Sequence, residues 1–417
     1  MDHAAMRSEA VPGDGAPDQR LGDERLPVLD GLRGLAILMV MVTHFCTFGV
    51  RPFLDLMLAK AAALGWCGVD LFFVLSGYLI TGILYDSKGG VSYLRTFYAR
   101  RVLRIFPLYY GFLFVLFLIV PLFLYHRPEL DHAMRDGQVW FWTYASNILF
   151  ATRVWEAKDV LHIGHLWSLA VEEQFYVLWP FLVLLLSRRR LMWLCGGAMV
   201  LGVMLRYGML SLHARPEAVY VLLPTRMDGL AVGAAIALAS RGPDGLQPWR
   251  RPARTTLALA GMGFLGVAIQ QRGFDNFGLP MQTFGYSFLA LLLGAILVIS
   301  LLTQPRLLAD SRLVFLGRYS YAIYVFHPLC LILLPWSGLT PQSLPSVAGS
   351  HILGVLAFAV IASTISVTFA VISWHCYEKH FLKLKRWFPY RRRALRAPFP
   401  TDTLSSQAVV RREAPVA

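Results

Sequence analysis

The chain has 417 residues, 56% of them hydrophobic and only 15% charged, with a formal net charge of +14. Soluble domains carry about 25% charged residues, and here apolar runs of the roughly 20 residues that cross a bilayer recur from end to end, which excludes a soluble enzyme with a single anchor. Cys46, Cys67, Cys195, Cys330 and Cys376 have no paired spacing, which argues against a disulfide framework or a zinc site; no metal is expected, and no HExxH, P-loop or GxSxG motif is present.

In chain order, residues 1–26 are rich in Pro, Gly, Asp and Ala without apolar periodicity and are predicted to be disordered and cytosolic. They contain no signal-peptide core. Ten spans follow, at roughly 33–50, 66–85, 106–125, 166–186, 191–210, 222–240, 255–271, 282–302, 314–335 and 351–374. The fold class is therefore all-α, a polytopic membrane helix bundle over residues 27–380, with a basic, largely disordered tail over 381–417. The stretch 139–151 is too short to span, and its aromatics suit an interfacial or re-entrant helix. Alternate connections are basic ("KGGVSYLRTFYARRVLR", "SRRR", "RGPDGLQPWRRPAR", "QPRLLADSR" and the tail), whereas those between them are mixed or neutral. The positive-inside rule then places both termini in the cytosol, and the net charge becomes a topology signal; no nucleic-acid partner is implied.

The first span, "LDGLRGLAILMVMVTHF", carries Arg33 near its start and His44 eleven residues on. Eleven residues rise about 16–17 Å and turn the helix by three turns plus about 20°, so both side chains lie on one face, at opposite depths. An ionisable group inside a span marks function by default, although Arg33 alone also suits a topology anchor. "YLRTFYARRVLRIFPLYY" (93–110) sets Arg100 and Arg101 within one turn of Arg104, a basic surface whose guanidinium forks suit phosphates; plain positive-inside charge is the rival explanation.

"HIGHLWSLAVEEQFYVLWP" (162–180) places His165, Ser168 and Glu172 on successive turns, with Glu173 beside them. A carboxylate near an imidazole holds its tautomer and stabilises its charged form; acids near a helix N-terminus also complement the dipole. "PTRMDGLAVG" adds Arg226 and Asp228, followed by Gly229, Gly233 and Ala234, which permit close helix packing. "GRYSYAIYVFHP" contributes Tyr319, Ser320, Tyr321, Tyr324 and His327, with Pro328 expected to bend the ninth span. Together these suggest a phosphate-bearing donor docked inside on Arg33 and the 100–104 arginines. An acceptor would meet carboxylates outside, near Glu172, Glu173 and Asp228, with His44 working between.

"LDGLRGLAILMVMVTHF" resembles the Arg-x10-His signature of the acyltransferase-3 family, integral membrane O-acyltransferases that modify bacterial surface sugars. "GVDLFFVLSGYLIT", "FYARRVLRIFPLYY", "HLWSLAVEEQFYVLWP", "RMDGLAVG" and "LGRYSYAIYVFHP" are similar to its other blocks, in the family's order, so the resemblance covers roughly residues 26–380. It implies a ten-helix core in the bacterial cytoplasmic membrane, an acyl-CoA co-substrate, most often acetyl-CoA, and a hydroxyl acceptor on a polysaccharide, lipid-linked glycan or glycosylated metabolite. By the same resemblance His44 is the catalytic histidine, and Arg33, Arg101 and Arg104 are candidates for handling the donor; the residues themselves add Glu172 and Glu173 as catalytic candidates, Arg100 on the donor side, and His165, Ser168, Arg226, Asp228, Tyr321 and His327 as candidates for contacting the acceptor. Some members carry a periplasmic hydrolase-like domain after the bundle; none follows here, and whether the bundle acts alone stays open.

Acyl transfer from a thioester to a hydroxyl needs a base for the proton and a stabiliser for the oxyanion. Whether His44 activates the acceptor or first takes the acyl group is open at this level. A lipid or sugar transporter would also place ionisable groups in spans, but should show matching halves with paired broken helices. A receptor or scaffold leaves His44 and the Glu172 cluster unexplained.

Overall fold

The computed structural model describes residues 26–48, 53–123, 128–154, 162–344 and 350–390. The predicted disordered N-terminus and most of the basic tail lie outside these residues. Among them, ten helices are long and apolar enough to cross a membrane: Pro27–Phe45, Phe53–Asp86, Tyr93–Leu122, Gly164–Leu185, Arg188–Ser211, Pro216–Ala239, Gln247–Gln270, Met281–Thr303, Ser311–Trp336 and Ile352–Trp387, here the first to tenth spans. The chain is a multi-pass helical membrane protein.

Two boundaries differ from the sequence reading in ways that matter for the site. The first span starts at Pro27 and ends at Phe45, so His44 lies in its last turn. Proline suits the first helical position, where no N–H is required. The third span starts at Tyr93 rather than near 106, because Tyr93 and Phe97 are buried one turn apart and Ile105 and Leu108 continue the inward face. Arg100, Arg101 and Arg104 are therefore part of the span's own helix. The 128–152 region forms two short helices, Pro128–Trp142 and Ser146–Thr152. Tyr109 and Tyr110 tie the first of these to the third span by donating to the carbonyls of Phe141 (2.9 Å) and Trp142 (3.1 Å).

Two tightly packed helix pairs position everything else. The first span lies against the ninth, and the second against the sixth. A Cβ on Gly317 would sit 1.8 Å from the Asp30 carbonyl oxygen, and one on Gly34 2.0 Å from that of Leu313. Likewise a Cβ on Gly233 would sit 2.0 Å from the Val74 oxygen, and one on Gly77 2.1 Å from that of Leu230. Backbones at this separation admit only glycine, the close approach that drives helix association where lipid supplies no hydrophobic gain. The first span also packs on the second, and the second on the fourth. Spans one, two, four and nine thus surround a common interior.

Candidate active site

At the far end of the first span three imidazoles converge. His44 Nδ1 lies 2.8 Å from the Val40 carbonyl oxygen, one turn earlier. A carbonyl only accepts, so Nδ1 carries the hydrogen and Nε2 of the neutral ring is left as the base. The His327 ring, from the ninth span, meets the His44 ring edge-on at 4.9 Å between centroids. The His165 ring, at the start of the fourth span, lies 5.2 Å from that of His327.

The local sequence explains the His327 geometry. Pro328 has no N–H, so the helix gives the Tyr324 carbonyl no donor from the residue four positions on. His327 Nδ1 donates to that carbonyl instead, at 2.8 Å. The ninth span continues through Pro328 to Trp336. His165 Nδ1 lies 3.3 Å from the His162 carbonyl. The Nε2 atoms of both His165 and His327 are buried with no hydrogen-bond partner. Hydroxyls brace this corner: those of Ser168 and Tyr324 each lie 3.0 Å from the His165 carbonyl oxygen and 2.5 Å from each other, so one donates to the carbonyl and the other to its neighbour.

Three spaces abut along the interior. A cavity of about 600 Å³ is walled by His44, His165, Trp66, Trp167 and Tyr220, with Lys60 and Asp275 at its edge. Next comes a constriction of about 70 Å³ among Arg33, Phe72, Ser76, Ser168, Glu172 and Tyr324. Last is a vestibule of about 270 Å³ lined by Arg33, Arg101, Arg104 and Arg318 together with Asp30. Val69 and Tyr324 line both cavity and constriction, and Arg33 and Ser76 line both constriction and vestibule. A path of shared walls therefore runs along the first span from Arg33 to His44.

The vestibule is strongly cationic. The Nε atoms of Arg33 and Arg101 are buried without a partner. The Arg101 guanidinium lies 5.9 Å from the Phe97 ring centre and 6.0 Å from that of Tyr176. Arg104 faces Trp374 at 5.7 Å. The open donors of Arg33 and Arg101, with the Arg104 guanidinium lining the same space, suit an anion with several oxygens. Within the constriction Glu172 accepts a 2.9 Å hydrogen bond from Tyr176, whose hydroxyl also pairs with that of Ser76.

Several residues singled out in the sequence lie elsewhere. Arg100 donates to the carbonyls of Lys385 (3.3 Å) and Phe388 (3.0 Å) and lies 4.7 Å over the Tyr390 ring, so it ties down the end of the tenth span and the residues just after it. Asp228 forms a two-point pair with Arg206, at 3.0 and 2.9 Å, and also accepts from Ser287. Arg226 holds both carboxylate oxygens of Asp70, at 2.8 and 2.9 Å. Its guanidinium lies 3.9 Å from the Tyr286 ring centre and 4.9 Å from that of Tyr220. Asp228 thus neutralises a buried arginine instead of facing the cavity, and Arg226 backs the cavity's aromatic wall. Tyr321 borders the constriction and donates to the Ile105 carbonyl at 2.9 Å. Glu173 borders none of the three spaces among the described residues. The sequence reading overlooked Asp70 and Arg206, although a lone ionisable residue within a predicted span was the available signal for each. The aromatic wall of Trp66, Trp167 and Tyr220 had no such signal.

The family model described as an acyltransferase domain matches residues 26–375. Similar curated proteins include the peptidoglycan O-acetyltransferase OatA of Listeria monocytogenes, 28% identical over 83% of this chain and 56% of that protein. The putative peptidoglycan O-acetyltransferase YrhL of Bacillus subtilis is 32% identical over 74% of this chain and 49% of its own length. The O-acetyltransferase OatA of Staphylococcus aureus is 26% identical over 72% and 50%. The chain spans about half the length of the curated relatives it matches. No solved structure matches it.

Proposed function

The chain belongs to the acyltransferase family whose model spans residues 26–375, and from that premise we propose that it moves an acetyl group from acetyl-CoA in the cytosol to a carbohydrate hydroxyl across the bacterial cytoplasmic membrane. The single observation carrying this reading is the path of shared walls between the cationic vestibule at Arg33 and the cavity at His44. The relatives named as peptidoglycan O-acetyltransferases favour a cell-wall glycan as acceptor; a lipid-linked glycan or glycosylated metabolite has the same hydroxyl chemistry.

In this reading the Arg33 end faces the cytosol, in keeping with the basic connections holding Arg188, Arg189, Arg190, Arg241 and Arg306 at that end. Arg33, Arg101 and Arg104 bind the phosphates of the donor, and the constriction admits its thin thioester arm. Glu172, held by Tyr176, keeps the cations oriented along the passage. At the other end His44 Nε2 takes the proton of the acceptor hydroxyl. The new C–O bond forms as the C–S bond breaks, and His44 returns the proton to the departing thiolate. The roomy cavity walled by Trp66, Trp167 and Tyr220 receives the sugar.

A path through the bundle would equally suit a lipid or sugar transporter, and one experiment separates the two. Purified protein is incubated with labelled acetyl-CoA and soluble peptidoglycan fragments, and the glycan is scored by mass spectrometry for an alkali-labile acetyl ester. The transferase forms the ester, and His44→Ala lowers its rate about 10²–10⁴-fold, the usual contribution of a positioned base, while the variant still elutes as a folded species. A wild-type protein that binds glycan but forms no ester would support transport instead.

A further inference from the structure

We propose that His327 is a positioning residue for the reaction, an imidazole that shares the proton His44 takes from the acceptor, with His165 as the third member of the group. The proposal rests on the acetyl-transfer reading above.

Each of the three rings has its Nδ1–H committed to a backbone carbonyl: Val40 for His44, Tyr324 for His327 and His162 for His165. Each neutral ring therefore presents a bare Nε2 lone pair. Two of these, on His165 and His327, are buried without any hydrogen-bond partner, an arrangement that folded proteins rarely tolerate without a use for the open acceptor. His327 is fully buried, so water does not serve it. The ring sits edge-on to His44 at 4.9 Å and to His165 at 5.2 Å.

The chemistry supplies the use. When His44 Nε2 gains a proton the ring becomes a cation inside a membrane-spanning helix. An unpaired charge there is costly. Serine-protease-type sites meet the same need with a carboxylate on the imidazole. Among the described residues no carboxylate is hydrogen-bonded or ion-paired to any of the three rings. The neighbouring lone pairs take that role. Once protonated, His44 Nε2–H donates to the His327 Nε2 lone pair when the two rings turn toward each other, so the proton is shared along one N–H···N bond while His44 Nδ1–H stays on the Val40 carbonyl. The proton returns by the same route when the thiolate leaves.

The test compares His327→Phe, which keeps the ring and its edge contact but has no lone pair, with His327→Gln, which retains an acceptor atom. We expect His327→Phe to lower kcat at least about tenfold with KM for acetyl-CoA within twofold of wild type. His327→Gln should retain clearly more activity than His327→Phe. A proton inventory in mixed H2O and D2O supplies a readout that simple packing does not move. The wild-type curve should bow downward, reporting two protons in motion, and the His327→Phe line should be straight. Should His327→Phe fail to fold, the wild-type inventory alone decides. A straight wild-type line, a kcat within threefold for His327→Phe, or equal loss in both variants would overturn the proposal. Active wild type with an unaffected His327→Phe refutes only the shared proton. Wild type that forms no ester refutes the transfer reading, and this proposal with it.

Discussion

His44 has one nitrogen committed to the turn before it and one left as a base, and that division of labour decides what the residue can do. The sequence already singled it out, since an ionisable group inside a span marks function by default, and the first-span geometry with Arg33 on the same face follows from helical periodicity alone. What periodicity could not reveal is the company it keeps. His165 and His327 come from spans far away in the chain, and only folding brings their rings together. Asp228 teaches the opposite lesson. Read locally it looked like an acceptor contact, yet its partner Arg206 sits on the preceding span with its side chain wholly buried. Breaking such a pair strands an uncompensated charge and costs about 3–5 kcal/mol. Asp228→Ala should therefore markedly lower the unfolding midpoint in detergent, and combining it with Arg206→Met should restore much of the loss, because two apolar groups leave no charge behind. Equal midpoints for the single and double variants would show that the pair is not what holds spans five and six together.

Helices in this bundle owe their contacts to small residues and their ligand chemistry to ends. Gly229 and Gly233 announced close packing in the sequence, and Gly233 lies against the second span at Val74. Gly317 is the less obvious case, since nothing around it in "LGRYSY" shows that the Asp30 carbonyl will lie against it. Gly317→Val should separate the first and ninth spans, lower the unfolding midpoint and move His44 away from His327. Activity should then fall more than donor binding does; unchanged stability would mean the two backbones do not meet there. The third span makes the corresponding point about charge. Arg101 and Arg104 line the vestibule, while Arg100 donates to the carbonyls of Lys385 and Phe388, a distinction of one residue that the basic run itself does not display. If Arg101 and Arg104 grip phosphates, Arg101→Lys with Arg104→Lys should weaken coenzyme A binding in calorimetric titration, because lysine loses the planar fork. Arg100→Lys should leave it nearly unchanged. A double variant with wild-type affinity would leave Arg33 as the main donor contact.

At the scale of the whole molecule, ten spans and an alternation of basic connections were readable because hydropathy and charge are local properties of the chain. The path through the bundle was not, because its walls come from the first, second, third, fourth, sixth, ninth and tenth spans at once. That path is the centre of this account, and sidedness tests it most directly. The protein is reconstituted into sealed vesicles with a soluble peptidoglycan fragment trapped inside and labelled acetyl-CoA added only outside, and the trapped glycan is then assayed for acetyl ester. Transfer through the bundle predicts ester on the trapped glycan with no acetyl-CoA entering the vesicle, and its loss in His44→Ala. Ester formed only when donor and acceptor share a compartment would contradict the account.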